Sequence, residues 1–205
     1  MDKKFPLKKV LDIFSAHSKK GELEELERQG YISKSKRFRS GAIVKKGWGI
    51  ESLPEIGERI GFFPKFTQPV AVSVFTTKGG VLKSTLALNL ARVAALHNVK
   101  TCVVGLDIQG DITTALGFEN DIDDSEDLHS VLNRLNNTKG LADLFNGQTR
   151  LGDVIQPTDL DQLYLIPETP ELVAMNDSLG NIHRREFWIK EKIVDKLKKD
   201  FDLVI

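Results

Sequence analysis

Eight consecutive residues, Lys78-Gly79-Gly80-Val81-Leu82-Lys83-Ser84-Thr85, combine cations and a hydroxyl that can hold a phosphate group with glycines that let a backbone wrap one. Glycines approach an oxyanion closely because they carry no Cβ. A helix N-terminus adds free N–H groups and the positive end of its dipole. Lys83 is placed to reach the β- and γ-phosphates of a nucleotide, and the Ser84 hydroxyl to ligate Mg2+. The competing reading is a lysine-bearing turn that enters an ordinary helix. What separates the two is whether a strand precedes the loop and a helix follows it.

Both are expected. Val70-Ala71-Val72-Ser73-Val74-Phe75 is a nearly continuous apolar run, of the kind a strand buried on both faces requires. Thr76 to Gly80 reads as a turn. A helix over 83–97 carries Ala87, Leu90, Ala91, Ala94 and Ala95 as a small-residue stripe that can lie close to a sheet. Further strands are expected at 101–106, 162–166 and 201–205, and a helix over 184–199 with Ile189, Ile193 and Leu197 four residues apart. Strand–helix alternation with buried strands predicts an α/β fold, a doubly wound, mostly parallel sheet, over residues 67–205.

The 29 basic and 29 acidic residues cancel over 205 positions, yet they are unevenly placed. Residues 1–66 hold 15 Lys/Arg against 9 Asp/Glu, whereas 67–205 hold 14 against 20. A small, basic, helical N-terminal module is therefore expected over 1–66, with 64–69 as its linker. Leu23 and Leu26 share one face of a helix over 21–29 that Gly30 is placed to stop, and Ile56 and Ile60 mark another over 51–60. Between them Lys34, Lys36, Arg37, Arg39, Lys45 and Lys46 are interleaved with Phe38 and Trp48 and with no acidic residue, a composition suited to phosphate contacts on DNA. A solvated basic arm is the plainer alternative, and a helix-turn-helix here is only faintly patterned.

Other chemistries are disfavoured. A single cysteine, Cys102, excludes an internal disulfide, and His17, His97, His129 and His183 are too scattered for metal-ligand spacing. The acidic stretch 118–127 lacks the glycine and closing glutamate of a calcium loop and reads as a solvated insertion. No apolar run is long enough to cross a bilayer and no signal core follows the first lysines, so a cytoplasmic protein is expected.

The loop departs from the usual Walker A pattern, with Thr77 and Leu82 where glycines are customary. What remains, Lys-Gly-Gly-x-x-Lys-Ser, resembles the deviant Walker A of the ParA/MinD ATPases, whose early lysine is Lys78 here. In that family this lysine reaches across a nucleotide-sandwich dimer to the partner's phosphates. The resemblance thus implies ATP and Mg2+ as cofactors, a homodimer formed on ATP binding, and catalytic roles for Lys78 and Asp107. Asp107 enters through Gly105-Leu106-Asp107-Ile108-Gln109-Gly110-Asp111, which is similar to the family's Asp-x-Asp-Pro-Gln-Gly-Asn segment. The later aspartate of that segment positions or activates the attacking water. A helix N-cap ahead of Thr113 and Thr114 is the other reading of Asp107. Gly105 stands where the first aspartate is usual, and Ile108 replaces proline. Weaker similarities continue at 140–147 and 165–172. The 201–205 segment is similar to the start of the Walker B strand, which makes this chain an expected N-terminal part of a longer protein.

An extension ahead of the ATPase domain resembles the longer plasmid-partition ParA proteins, which carry a DNA-binding N-terminal region. That likeness implies DNA and a centromere-binding ParB-type protein as partners, and nucleoid association. A nucleotide-sensing DNA-binding repressor with little turnover is the alternative. A membrane-cycling regulator of the MinD kind fits poorly, because 69 residues precede the first strand.

Overall fold

A computed structural model describes residues 3–78, 80–118, 139–180 and 183–205 of the protein. Strand β1 (Lys4–Pro6) runs into helix α1 (Leu7–Ile13) and, after a 3-10 turn, into α2 (Lys20–Gln29). Gly30 closes α2 at φ 78°, with the Gly30 and Tyr31 amides returned to the Glu27 and Leu26 carbonyls. Strands β2 (Lys36–Ser40) and β3 (Ile43–Gly49) form an antiparallel hairpin over a two-residue turn, in which Gly41 takes φ 63°. β1 pairs with the other side of β3, and helix α3 (Leu53–Ile60) follows. Val10, Phe14, Leu23, Trp48, Ile56 and Ile60 are the buried centre of this part.

The helices of residues 1–66 fall close to their sequence positions, and the basic stretch between them, read as a solvated arm or a faint helix-turn-helix, is an antiparallel hairpin. β-branched Ile43 and Val44, with Phe38 across from Lys45, favour extended backbone, and Gly41 supplies the turn. Trp48, grouped by sequence with the exposed cations, is only 4% exposed and donates its indole N–H to the Ser33 carbonyl at 2.7 Å. It is a core residue.

The remainder contains β4 (Val70–Ala71), α4 (Lys83–Leu96), β5 (Thr101–Val104), α5 (Asp111–Ala115), α6 (Leu141–Phe145), α7 (Leu151–Val154), β6 (Gln156–Pro157) and β7 (Leu163–Ile166). Helix α8 (Leu172–Leu179), α9 (Arg185–Ile189), a π-helical turn over Lys190–Val194, α10 (Asp195–Leu197) and β8 (Leu203–Val204) complete it. The sheet order is β4-β8-β5-β7-β6, parallel except for β6. Side chains alternate across it. Val103, Leu163 and Leu165 pack with Ala87 and Ala91 of α4, while Cys102 and Ile166 pack with Leu141, Ile193 and Leu197. Helices therefore cover both faces, the doubly wound α/β arrangement the sequence predicts.

Two elements differ from the sequence reading. Only Val70 and Ala71 of the 70–75 run lie in a strand, the Val72 amide adds one bond to the Val204 carbonyl at 2.8 Å, and Phe75 is 81% exposed. Among the described residues β4 pairs with β8 alone, and the apolar run by itself does not extend that ladder beyond Val72. The 184–199 helix is interrupted by the π turn over Lys190–Val194; Ile193 and Leu197 are buried, whereas Ile189 is only partly covered. The 118–127 acidic stretch lies, after Phe118, outside the described residues.

Candidate functional site

Helix α4 starts where the loop ends, and its start is unusual. Leu82 is the N-cap, contributes no side-chain acceptor, and sits at φ 63°, ψ 27°. This left-handed conformation costs an L-residue about 1–2 kcal/mol. The side chain is 70% exposed, so packing does not repay that strain. No acidic residue occupies the first turn, and the first intrahelical bond runs from the Leu86 amide to the Leu82 carbonyl at 2.9 Å. The amides of Lys83, Ser84 and Thr85 are left without an intrahelical partner, beside the Lys83 ammonium. An anion stabilises such a terminus; an isolated helix would not favour it.

The other loop residues are exposed. Lys78 donates its amide to the Thr76 hydroxyl at 3.2 Å, Gly80 takes φ 68°, and Val81 is open to solvent. Thr85 is also exposed, its carbonyl accepting from the Asn89 side chain at 2.8 Å. Gly79 lies outside the described residues. Among the described residues Lys83 has no acidic partner within ion-pair distance, and it is half-buried at the wall of a 670 Å³ cavity. The same cavity is lined by Ser84, Asp107 and Glu168, and a space of this size is in the range of small-molecule sites.

Asp107 follows the end of β5, and its Oδ1 accepts the Gln109 amide at 3.1 Å in a local turn. Gly110, at φ 70°, is the N-cap of α5, so Asp107 does not cap that helix. The Ser84 hydroxyl lies 3.4 Å from Oδ2 of Asp111, which opens α5. A hydroxyl and a carboxylate are the hard oxygen donors that Mg2+ takes, with waters and phosphate oxygens filling the remaining positions. These residues fit a magnesium nucleotide.

Sequence spacing gives no sign of Glu168. Only 4% exposed, it accepts the Thr113 amide at 3.0 Å and the Thr113 hydroxyl at 2.9 Å on Oε2, and its own amide donates to that hydroxyl at 2.8 Å. Burial pushes its carboxyl above the usual carboxylate range, against the hydrogen bonds from Thr113, and the charge of Asp107 adds to the upward push. Cys102, by contrast, is buried with its thiol pushed up to about 12 and has no part in the cavity.

The six cations Lys34, Lys36, Arg37, Arg39, Lys45 and Lys46 are all exposed, and five of them lie on the β2–β3 hairpin. Arg37 pairs directly with Lys46 in the ladder, a like-charge juxtaposition that costs stability unless an anion lies near. The basic hairpin and the cavity belong to different parts of the fold.

A family described as an AAA domain matches residues 70–205. The chain belongs to this family of ParA/MinD-type P-loop ATPases. It is 28% identical over 134 residues to the chromosome partitioning protein ParA of Myxococcus xanthus and 29% identical over 130 residues to the chromosome-partitioning ATPase Soj of Treponema pallidum. These alignments cover 65% and 62% of this chain but 42% and 44% of the relatives, so the chain spans less than half their length. The fold is that of the ATP complex of a McdA variant from Cyanothece, with a TM-score of 0.54 at 18% identity over 68% of this chain and 48% of that one. No helix among the described residues is long and apolar enough to cross a membrane.

Proposed function

We propose that the protein is a ParA-type ATPase that binds Mg-ATP at the α4 N-terminus, dimerises in the ATP state and acts on DNA during partitioning of a plasmid or chromosome. The observation that carries this reading is the convergence of an uncapped helix start, Lys83, Ser84 and Asp107 on one 670 Å³ cavity. In it Lys83 and the first-turn amides hold the phosphates, Ser84 and Asp111 hold the magnesium ion, and Asp107 orients the attacking water. Bound magnesium would offset negative charge on the phosphates. Lys78, exposed at the loop's rim, is free to reach a second copy, and the apolar Leu82 and Leu86, one turn apart and 70% and 61% exposed, give that copy a surface to cover.

The N-terminal module (residues 1–66) is the DNA-contacting part in this reading, through Lys34, Lys36, Arg37, Arg39, Lys45 and Lys46. A ParB-type partner and DNA stimulate a slow hydrolysis, and the protein works in the cytoplasm on the nucleoid. The test is ATP turnover with and without duplex DNA and the partner. Stimulation by either supports the reading.

A nucleotide-sensing repressor is the second reading. It is favoured by the strained Leu82 and by the missing carboxylate at Gly105. Nucleotide-dependent DNA binding with no turnover under any of those conditions would establish it in place of the first.

A further inference from the structure

Gly105 has no room for a side chain. A Cβ built there would lie 2.8 Å from Cδ of Glu168, closer still to its Cγ, and 3.1 Å from its amide nitrogen. The resemblance puts an aspartate at 105, and the carboxyl group of such a residue would fall on the ground that the Glu168 carboxyl holds. β5 and β7 are paired neighbours, with Val104 opposite Ile166 and the Gly105 amide bonded to the Ile166 carbonyl at 3.0 Å. The two positions are thus brought side by side at the carboxyl ends of adjacent strands, 63 residues apart in sequence. An empty position on one strand faces an extra carboxylate from the other.

The Glu168 carboxylate is engaged with the segment that carries Asp107. Its Oε2 accepts from both the amide and the hydroxyl of Thr113, while it lines the cavity with Lys83 and Asp107. It therefore ties the segment after β7 to the first turn of α5. That turn also holds Asp111, which lies beside Ser84.

We infer that Glu168 is a positioning residue that supplies, from the neighbouring strand, the buried carboxylate missing at Gly105 and, by anchoring Thr113, fixes the Asp107-to-α5 segment that orients water. This rests on the reading of Asp107 given above. Glu168 touches no reacting atom; it acts through Thr113 and the start of α5. Its burial, at 4% exposed, suits that task.

The test uses the intact protein and four variants: Glu168→Gln, Glu168→Ala, Gly105→Asp with Glu168→Ala, and Asp107→Ala. ATP affinity by calorimetry, turnover at saturating ATP, and amide exchange over 107–113 are measured for each. Glu168→Gln and Glu168→Ala should leave ATP affinity within about twofold, lower turnover about tenfold or more and speed exchange over 107–113, since small misplacement of a catalytic group costs up to about a hundredfold. The double variant should recover slow exchange and most of the turnover. Full turnover in both Glu168 variants while Asp107→Ala abolishes it would overturn the inference alone. So would a double variant no better than Glu168→Ala. Full turnover in Asp107→Ala would overturn the reading of Asp107 and this inference with it.

Discussion

His97, at the C-terminus of α4, accepts the Phe62 amide on Nε2 at 3.2 Å and donates from Nδ1 to the Val93 carbonyl at 2.7 Å. The tautomer follows from the partners, because an amide N–H can only donate and a carbonyl can only accept. Phe14 and Phe62 pack edge-on to the ring at centroid distances of 5.3 and 4.7 Å. One neutral imidazole thus fastens the N-terminal module to the helix whose other end carries Lys83.

That fastening should depend on pH. Burial lowers the His97 pKa from its ordinary 6.5, so the unfolded chain binds a proton before the folded one does. Its contribution is complete above pH 6.5 and is lost as pH falls toward the folded value. Thermal melts at pH 7.5 and at successively lower pH should show a falling midpoint, and His97→Gln, which cannot titrate, should flatten the difference. An unchanged pH slope in that variant would refute the coupling.

Leu82→Gly should stabilise the protein. Glycine relieves the left-handed strain but also loosens the unfolded chain, leaving a net gain of about 0.5–1 kcal/mol, read from denaturant melts. Loss of the exposed side chain at the phosphate loop should also strengthen ATP binding. A lower melting midpoint with weaker binding would show that the leucine makes contacts of its own.

The Arg37–Lys46 pair predicts opposite effects on stability and on binding. Arg37→Glu or Lys46→Glu should leave the melting midpoint unchanged or higher, since either removes a like-charge pair. Each should weaken duplex-DNA binding and reduce the slope of log K against log salt by about 0.9 for every phosphate no longer neutralised, measured by fluorescence anisotropy. Binding that ignores both changes would remove the hairpin from the DNA surface.

Lys78→Ala should keep ATP affinity and lose ATP-driven dimerisation, followed by light scattering of the intact protein. A dimer that persists in ATP would contradict a role for Lys78 across the interface.

The central strands, α4 and the phosphate loop are legible in the sequence because their signals are local: apolar runs, a small-residue stripe, and a Lys-Gly-Gly turn between them. The hairpin at 36–49 is not, since its cations mask the alternation by which a strand is recognised, and Gly41 alone marks the turn. The burial of Trp48 is hidden for a related reason, as neighbouring lysines say nothing about which face its indole takes. Glu168 is hidden for another: its meaning depends on the pairing of β5 with β7, which no spacing within either segment encodes. How much of the 70–75 run forms a strand depends on its pairing with β8, again a property of strand order.

Lys83→Ala tests the central claim most directly. Calorimetric titration of Mg-ATP should show saturable binding to the wild-type chain and none to the variant, with the two circular dichroism spectra superimposable. Equal affinity in both would contradict the assignment of the α4 N-terminus as the nucleotide site.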